Sequence, residues 1–194
     1  MLTEQRLARD ASKWSNKTIS NCAWEKAAAQ PDDVAIFLET EPDITFGSVA
    51  DEARRLITAL KKLGMQPGDV ISFQLPNWRE AAVLDIAASA LGLLVNPIIP
   101  IYRDRELRFI LKDARTKLIY IPERVRSLEF PSMIASLKAQ LPDLEHIITV
   151  RAEQDYEGML RYEDLVKNDP VDLDSLPEVD PNSVKVILYT SGTT

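Results

Sequence analysis

The feature that most constrains the fold is a regular alternation of short apolar runs with stretches of helical periodicity between residues 69 and 190. The runs are "VISFQL", "LLVNPI", "KLIYIP", "HIITV" and "VKVILYT". Near-continuous apolar strands are typical of a parallel sheet that is buried on both faces by helices. The sequence therefore predicts an α/β fold with a mainly parallel, doubly wound sheet and helices on both faces.

The helix predicted between the first two runs, from Trp78 to Leu91, supports this layered arrangement. Its body, "EAAVLDIAASAL", is apolar on almost every side, whereas a helix on the surface keeps a polar face. We therefore expect it to be covered on two sides, as between two sheets. Asp104 is predicted to cap the next helix, and Thr45 to cap an earlier one whose apolar residues recur on one face.

Composition excludes several classes of protein. The single cysteine, Cys22, allows no disulfide within the chain and favours a reducing compartment, so we expect a cytoplasmic location. The most apolar stretch, Ala81 to Pro100, is broken by Asp85, Asn96 and Pro97, which argues against a membrane span. The net charge is −7 and no basic face with interleaved aromatic residues occurs. Nucleic-acid binding is therefore not expected.

The last nine residues, "VILYTSGTT", carry the one candidate site. Ligands of parallel sheets bind beyond the carboxyl ends of the strands. There, Gly192 would let backbone N–H groups approach an anion, and the hydroxyls of Thr190, Ser191, Thr193 and Thr194 would add donors for phosphate oxygens. The run matches neither a Walker A loop nor a G-x-S-x-G elbow. On composition alone, it is more typical of an ordinary turn.

A family resemblance favours the site. "ILYTSGTT" resembles the opening of the phosphate loop of the adenylate-forming superfamily, which includes acyl-CoA synthetases, luciferases and peptide-synthetase adenylation domains. The segments "ITF", "GMQPGD", "LPNWRE" and "NPIIPIYRDREL" are similar to that family's N-terminal region in order and spacing, over roughly residues 20–194. The resemblance identifies the chain as an N-terminal fragment of such an enzyme.

The resemblance also implies an organisation. Residues 1–68 would form a helix and strand segment that partly belongs to a neighbouring sheet. Residues 69–194 would form a parallel α/β subdomain that ends in a truncated phosphate loop. Surface uncovered by the truncation would favour a homodimer or larger species.

The parent enzyme implied by the resemblance is an AMP-forming acid–CoA ligase that uses ATP, Mg²⁺ and coenzyme A. It would convert a small carboxylic acid, of medium-chain or alicyclic type as in fatty acid metabolism, to an acyl-adenylate and then to a thioester. Thr190, Ser191, Gly192, Thr193 and Thr194 match the loop that holds the β- and γ-phosphates. No catalytic or metal-binding residue is assigned, because the family's magnesium-binding glutamate and catalytic lysine lie beyond position 194. The chain alone is therefore expected to be inactive.

The alternative hypothesis is a non-catalytic anion-binding or interaction module with this fold. Other reactive residues are not expected to act in catalysis or binding: His146 precedes a strand and has a structural or surface role, Cys22 is packed and not a nucleophile, and Trp14, Trp24 and Trp78 are core or packing residues. Arg103, Arg105 and Arg108 could reach an anionic ligand such as coenzyme A, but a solvated helix start explains them as well.

Overall fold

A computed structural model describes residues 15–38 and 41–190. Six α-helices, one 3-10 helix (Leu173–Ser175) and nine strands lie in this part of the chain. The helices are α1 (Ile19–Ala29), α2 (Phe46–Lys62), α3 (Arg79–Leu91), α4 (Asp104–Asp113), α5 (Pro131–Lys138) and α6 (Tyr162–Leu165). The strands are β1 (Val34–Ile36), β2 (Ile44–Thr45), β3 (Val70–Phe73), β4 (Leu94–Pro97), β5 (Thr116–Pro122), β6 (Arg124–Val125), β7 (Leu128–Glu129), β8 (His146–Val150) and β9 (Leu160–Arg161).

The main sheet has five strands in the order β4-β3-β5-β8-β9, and every neighbouring pair is parallel. From β3 the chain passes to β4 on one side and then returns to β5 on the other. A crossover that adds the next strand on one side of a parallel sheet places its helix on one face. A crossover that adds the next strand on the other side places its helix on the opposite face. The predicted doubly wound α/β fold is confirmed.

Two apolar clusters pack against the two faces of this sheet. One contains residues of α2, α3 and α6 together with Leu118, Tyr120 and Ile148. The other contains residues of α4 and α5 together with Ile119 and Ile147. Neighbouring residues of β5 thus enter opposite clusters, as the two-residue side-chain period of a strand requires. β5 is the central strand and is covered on both faces.

Helix α3 is enclosed as its composition predicts. None of its residues is exposed, and its left-handed end at Gly92 has φ 66°. We expected α3 to be covered by a second sheet in addition to the main sheet. In the structure, helices α1 and α2 provide this second covering layer. The arrangement follows from the small alanine and serine side chains of α3, which let neighbouring helices approach closely.

The N-terminal part of the chain contributes helices to the same core. Thr45 caps α2 as predicted, its hydroxyl accepting from the Ser48 amide at 3.3 Å. The apolar face of α2 is buried, and β1 and β2 form a separate two-stranded antiparallel sheet. Residues before and after position 68 share one apolar cluster. The division of the chain at residue 68 stays a prediction.

Some local predictions are wrong. Asp104 is the first residue of α4, and the cap is Arg103. The last predicted strand, "VKVILYT", is reduced to one parallel bridge between Val186 and Val95. The short hairpin β6–β7 and the fifth strand β9 were not predicted, because two-residue strands carry too few side chains to show a period.

Candidate functional site

The candidate site lies at the carboxyl edge of the main sheet. In open α/β sheets, ligands bind in the crevice where the strand order reverses, which here is between β3 and β5. Gln74 occupies this point: its backbone N–H donates to the Tyr120 carbonyl at 2.9 Å. Its fully buried side-chain amide donates to the carbonyls of Ile99 and Tyr102 at 3.1 and 3.0 Å. Gln74 therefore fixes the loop between β4 and α4.

The segment that leads to the predicted phosphate loop runs beside β4. The Val95 amide donates to the Lys185 carbonyl at 2.8 Å, and the Ile187 amide donates to the Val95 carbonyl at 2.9 Å. After Ile187 the chain turns onto helix α4. The Tyr189 hydroxyl donates to Asp113 at 2.7 Å, and its ring meets Phe109 edge-on with centroids 6.1 Å apart.

Tyr189 is the titratable group next to the predicted loop. Partial burial, followed by the hydrogen bond to the Asp113 carboxylate, raises the pKa of Tyr189 to about 12. The phenol therefore stays protonated at neutral pH and remains a donor. This contact anchors the end of the described segment to α4.

Of the five predicted phosphate-binding residues, only Thr190 lies in the described part of the chain. It is exposed and lines a cleft of about 330 Å³ together with Tyr102, Glu106, Phe109, Ile110 and Tyr189. Ser191, Gly192, Thr193 and Thr194 lie outside the described residues. The described lining of the cleft has one carboxylate and no cation, so it does not by itself fit a triphosphate.

A charged network at the carboxyl end of β8 was not predicted from the sequence. Arg151 donates to both carboxylate oxygens of the buried Glu80, at 2.9 and 3.0 Å, and to Glu41 at 2.6 Å. Its guanidinium also lies 4.4 Å from the centre of the Trp78 ring. No local sequence signal links these residues, because Arg151 and Glu80 are 71 positions apart.

Arg151 is committed to this network and is not available to bind an anion. Burial tends to lower the pKa of Arg151, but the hydrogen bonds to Glu80 and Glu41 outweigh burial and raise it. The backbone of Arg151 is left-handed, with φ 57°, and its amide donates to Glu163 at 2.8 Å. The network ties the start of α3 to the end of β8.

The three arginines near α4 have different environments. Arg103 donates to the carbonyls of Pro100 and Tyr102 and lies 5.6 Å from the centre of the Phe130 ring, so it holds its own loop. Arg105 and Arg108 are exposed, and Arg108 donates to Gln140 at 3.1 Å. Arg105 and Arg108 therefore agree with the interpretation of this region as a solvated helix start.

The remaining candidates are largely structural. The Nε2 atom of His146 lies 3.2 Å from the Leu63 carbonyl, and Trp24 and Trp78 pack against the core. Trp14 lies outside the described residues. The prediction that Cys22 is packed is wrong, because Cys22 is exposed on α1.

Two kinds of site are absent from residues 15–38 and 41–190. No three His, Cys, Asp or Glu side chains are grouped so that they could hold a metal ion. No helix in these ranges has both the length and the apolar character needed to cross a membrane.

The fold and the site together define an open, doubly wound α/β protein in which the segment that leads to the candidate anion loop runs beside β4. The AMP-binding enzyme family matches residues 23–194. The chain belongs to this family of adenylate-forming enzymes, to which acid–CoA ligases also belong.

Individual relatives agree with the family. The chain is 27% identical over 192 residues to the medium-chain fatty-acid–CoA ligase of Escherichia coli K12, covering 98% of this chain and 34% of that protein. It is 29% identical to the 3-methylmercaptopropionyl-CoA ligase of Ruegeria lacuscaerulensis, covering 82% of this chain and 30% of that protein. The chain thus spans about a third of the length of these curated relatives.

A solved structure shares the fold. The anthranilate CoA ligase AuaEII, in complex with anthranoyl-AMP, superimposes with a TM-score of 0.84 at 25% sequence identity. The match covers 95% of this chain and 34% of that chain. The architecture described above is therefore shared with about a third of that solved chain.

Proposed function

We propose that this chain is the N-terminal part of an ATP-dependent carboxylic acid–CoA ligase, and that residues 190–194 bind the ATP phosphates. The family match through residue 194 is the observation that carries the proposal. The open parallel sheet supports it, because such sheets bind ligands beyond the carboxyl ends of their strands. A cytoplasmic location belongs to the same proposal and is supported by the lone cysteine.

The proposed reaction has two halves. A substrate carboxylate attacks the α-phosphorus of ATP, which forms an acyl-adenylate and expels pyrophosphate. The thiol of coenzyme A then attacks the acyl carbon, which forms the thioester and expels AMP. In the first half, hydroxyl and N–H donors of residues 190–194 would hold the β- and γ-phosphates while charge develops on the leaving pyrophosphate.

We propose that the chain does not catalyse this reaction alone. The cleft around Thr190 contains the carboxylate of Glu106 and no cation among its described residues, whereas pyrophosphate as a leaving group requires compensation of several negative charges. The described residues also provide no cluster for a metal ion. The missing cationic groups would come from the remaining two thirds of a full-length ligase.

The proposed substrate is a medium-chain or alicyclic carboxylic acid. The resemblance of the "NPIIPIYRDREL" region and the relative that acts on medium-chain fatty acids support this choice. The range of acids named for other relatives, from anthranilate to 3-methylmercaptopropionate, makes a panel of acids the appropriate test.

The test is pyrophosphate release with ATP, Mg²⁺ and this panel, measured for the chain alone and for the chain joined to the rest of such a ligase. We expect no turnover from the chain alone and turnover from the joined protein. Sustained pyrophosphate release from the chain alone would refute the proposal that the chain needs the rest of the ligase for catalysis. Failure of the joined, folded protein with every acid would refute the ligase assignment.

The loop itself is tested with Thr194→Ala in the joined protein. Losing one donor to a developing oxyanion costs about 3 kcal/mol, roughly a hundredfold in rate. Adenylation should therefore fall about a hundredfold, whereas thioester formation from pre-made acyl-adenylate should change much less. Ser127→Ala removes an exposed hydroxyl between β6 and β7 and serves as the control. Equal losses in both half-reactions would contradict a phosphate-binding role.

A further inference from the structure

Gln74 holds the loop between β4 and α4 with one end of its side-chain amide, while the other end is unsatisfied. Both N–H groups of the amide are used, on the carbonyls of Ile99 and Tyr102. The side-chain oxygen is buried and has no hydrogen-bond partner among residues 15–38 and 41–190. A buried acceptor without a partner destabilises a folded protein. Stability alone is therefore a poor explanation for a glutamine at this point of the sheet.

The loop carbonyls do not need Gln74 in order to be satisfied. The Ile99 carbonyl also accepts from the Tyr102 amide at 3.1 Å, and the Tyr102 carbonyl also accepts from the Arg103 guanidinium at 2.6 Å. A carbonyl oxygen has two lone pairs, so it can accept from two donors at once. Because these other donors belong to the loop itself, what Gln74 adds is an attachment between the loop and the end of β3.

The loop attached in this way forms one wall of the cleft that contains Thr190. Tyr102 lines this cleft together with Tyr189 and Thr190. Tyr102 and Tyr189 also pack against the same apolar cluster, which contains residues of α4 and α5. The Tyr189 hydroxyl bonds to Asp113 at the end of α4. The position of the loop and of α4 therefore determines where Tyr189 and Thr190 lie.

We propose that Gln74 is a positioning residue for the adenylation half-reaction. It lies at the crevice between β3 and β5, where ligands of open α/β sheets bind, and it fixes the wall against which Tyr189 and Thr190 rest. It thereby sets where the predicted phosphate loop begins. The inference rests on the phosphate-binding role proposed above. Its physical basis is that misplacing a binding group by about 1 Å can slow a reaction by about a hundredfold.

The test uses Gln74→Met, in which the side chain stays unbranched and of similar length but loses both donors and the unpaired oxygen. Because both loop carbonyls keep a second donor, we expect the midpoint of urea unfolding to fall no further than in a matched control. The control is Thr149→Val on β8, which removes a buried hydroxyl that donates to the Leu160 carbonyl of β9 at 3.2 Å. Gln74 thus bonds to the loop, whereas Thr149 bonds to the β9 edge.

Hydrogen exchange of the chain, followed by mass spectrometry, reports whether the loop is held. In Gln74→Met, amides of residues 98–107 should exchange at least about tenfold faster, whereas amides of residues 146–161 should be unchanged. Thr149→Val should give the reverse pattern. Unchanged exchange at residues 98–107 in Gln74→Met would overturn the proposal, because the loop would then keep its place without the glutamine.

Adenylation is measured by pyrophosphate–ATP exchange in the chain joined to the rest of such a ligase. In Gln74→Met the KM for ATP should rise about tenfold, because the phosphates meet a displaced loop. Thioester formation from pre-made acyl-adenylate should change much less, since pyrophosphate has already left. Thr149→Val should keep the KM of the unsubstituted protein. A merely structural role of Gln74 would affect both half-reactions equally, and that result would overturn the proposal.

Failure of this proposal and failure of the proposed function give different results. An unsubstituted joined protein that folds but exchanges no pyrophosphate with any acid would refute the proposed function. An active protein in which Gln74→Met retains its KM for ATP would overturn the positioning role alone. If Gln74→Met does not fold, as judged by circular dichroism, Gln74→Asn takes its place, because an amide that is one methylene shorter no longer reaches both carbonyls.

Discussion

Replacing Arg151 with methionine should destabilise the fold more than any exposed charge substitution in this chain. The change removes the guanidinium but keeps an unbranched side chain over Trp78. Glu80 is left with its side chain 5% exposed and without the two hydrogen bonds, at 2.9 and 3.0 Å, that satisfied its carboxylate. Among the described residues, Arg79 then remains as the cation next to Glu80, with its Nε 3.8 Å from the Glu80 Oε1.

The magnitude follows from the burial of the partner. Removing one member of a buried ion pair costs about 3–5 kcal/mol. Because Arg151 is itself 29% exposed, the lower end applies, about 3 kcal/mol. For a chain of this size, that corresponds to a fall in Tm of about 6–12 °C. A typical domain is stable by about 5–15 kcal/mol, so the variant should still fold.

The assay is urea unfolding followed by tryptophan fluorescence and by far-ultraviolet circular dichroism. Arg124→Met is the control, since its pair with Glu129 is about 60% exposed on both sides and should contribute at most about 1 kcal/mol. Adding Glu80→Leu to Arg151→Met should restore part of the loss, because no unpaired charge then stays buried. A loss no larger than that of the control, or a double variant that only adds to the loss, would refute the reasoning.

Three further predictions concern other residues. Burial first, and then the hydrogen bond to Asp113, raise the pKa of Tyr189 to about 12 in the folded chain, from about 10 in the unfolded chain. The protonated phenol therefore favours folding fully below pH 10, and this contribution is lost as the pH rises to about 12. Stability measured against pH should lose this dependence in Tyr189→Phe, and an unchanged profile would contradict it. Gly92→Ala should lower the free energy of unfolding by about 1 kcal/mol or more, since φ is 66° and a Cβ would lie 3.5 Å from two side chains. Gly158→Ala, where φ is 72° and the space around a Cβ is open, should lower the free energy of unfolding by less in the same urea assay. Cys22 should react with a thiol reagent in the native protein at nearly the rate of a free cysteine, because it is exposed. A Cys22 thiol that reacts only after the protein unfolds would contradict its exposed position.

The layers of the fold were predictable because they depend on patterns that are local in sequence. The apolar runs at β3, β4, β5 and β8 are each four to seven residues long, and such runs show burial on both faces directly. The enclosure of α3 followed from its lack of a polar face. In contrast, β9 has two residues, and its place in the sheet depends on pairing with β8 rather than on a pattern of its own.

The phosphate-binding role of residues 190–194 stays a prediction, and of these residues the structure describes only Thr190. Residues 190–194 were selected by their resemblance to a phosphate loop and by the rule that ligands bind beyond the strand ends. The Arg151–Glu80 pair depends on two segments that meet only in the folded chain, and neither segment carries a signal for the other. The packing of Cys22 was inferred from the residue type, whereas the structure leaves it exposed on α1.

The order of the strands has a consequence for synthesis of the protein. All five strands of the main sheet are complete at Arg161, and residues 166–185 then run back across α2, where the Arg54 side chain donates to the Val171 carbonyl at 2.8 Å. Chains made on the ribosome fold from the N-terminal end as domains become available. The sheet can therefore assemble on the nascent chain before residues 184–188 emerge, and this segment is added last, beside a β4 that is already in place.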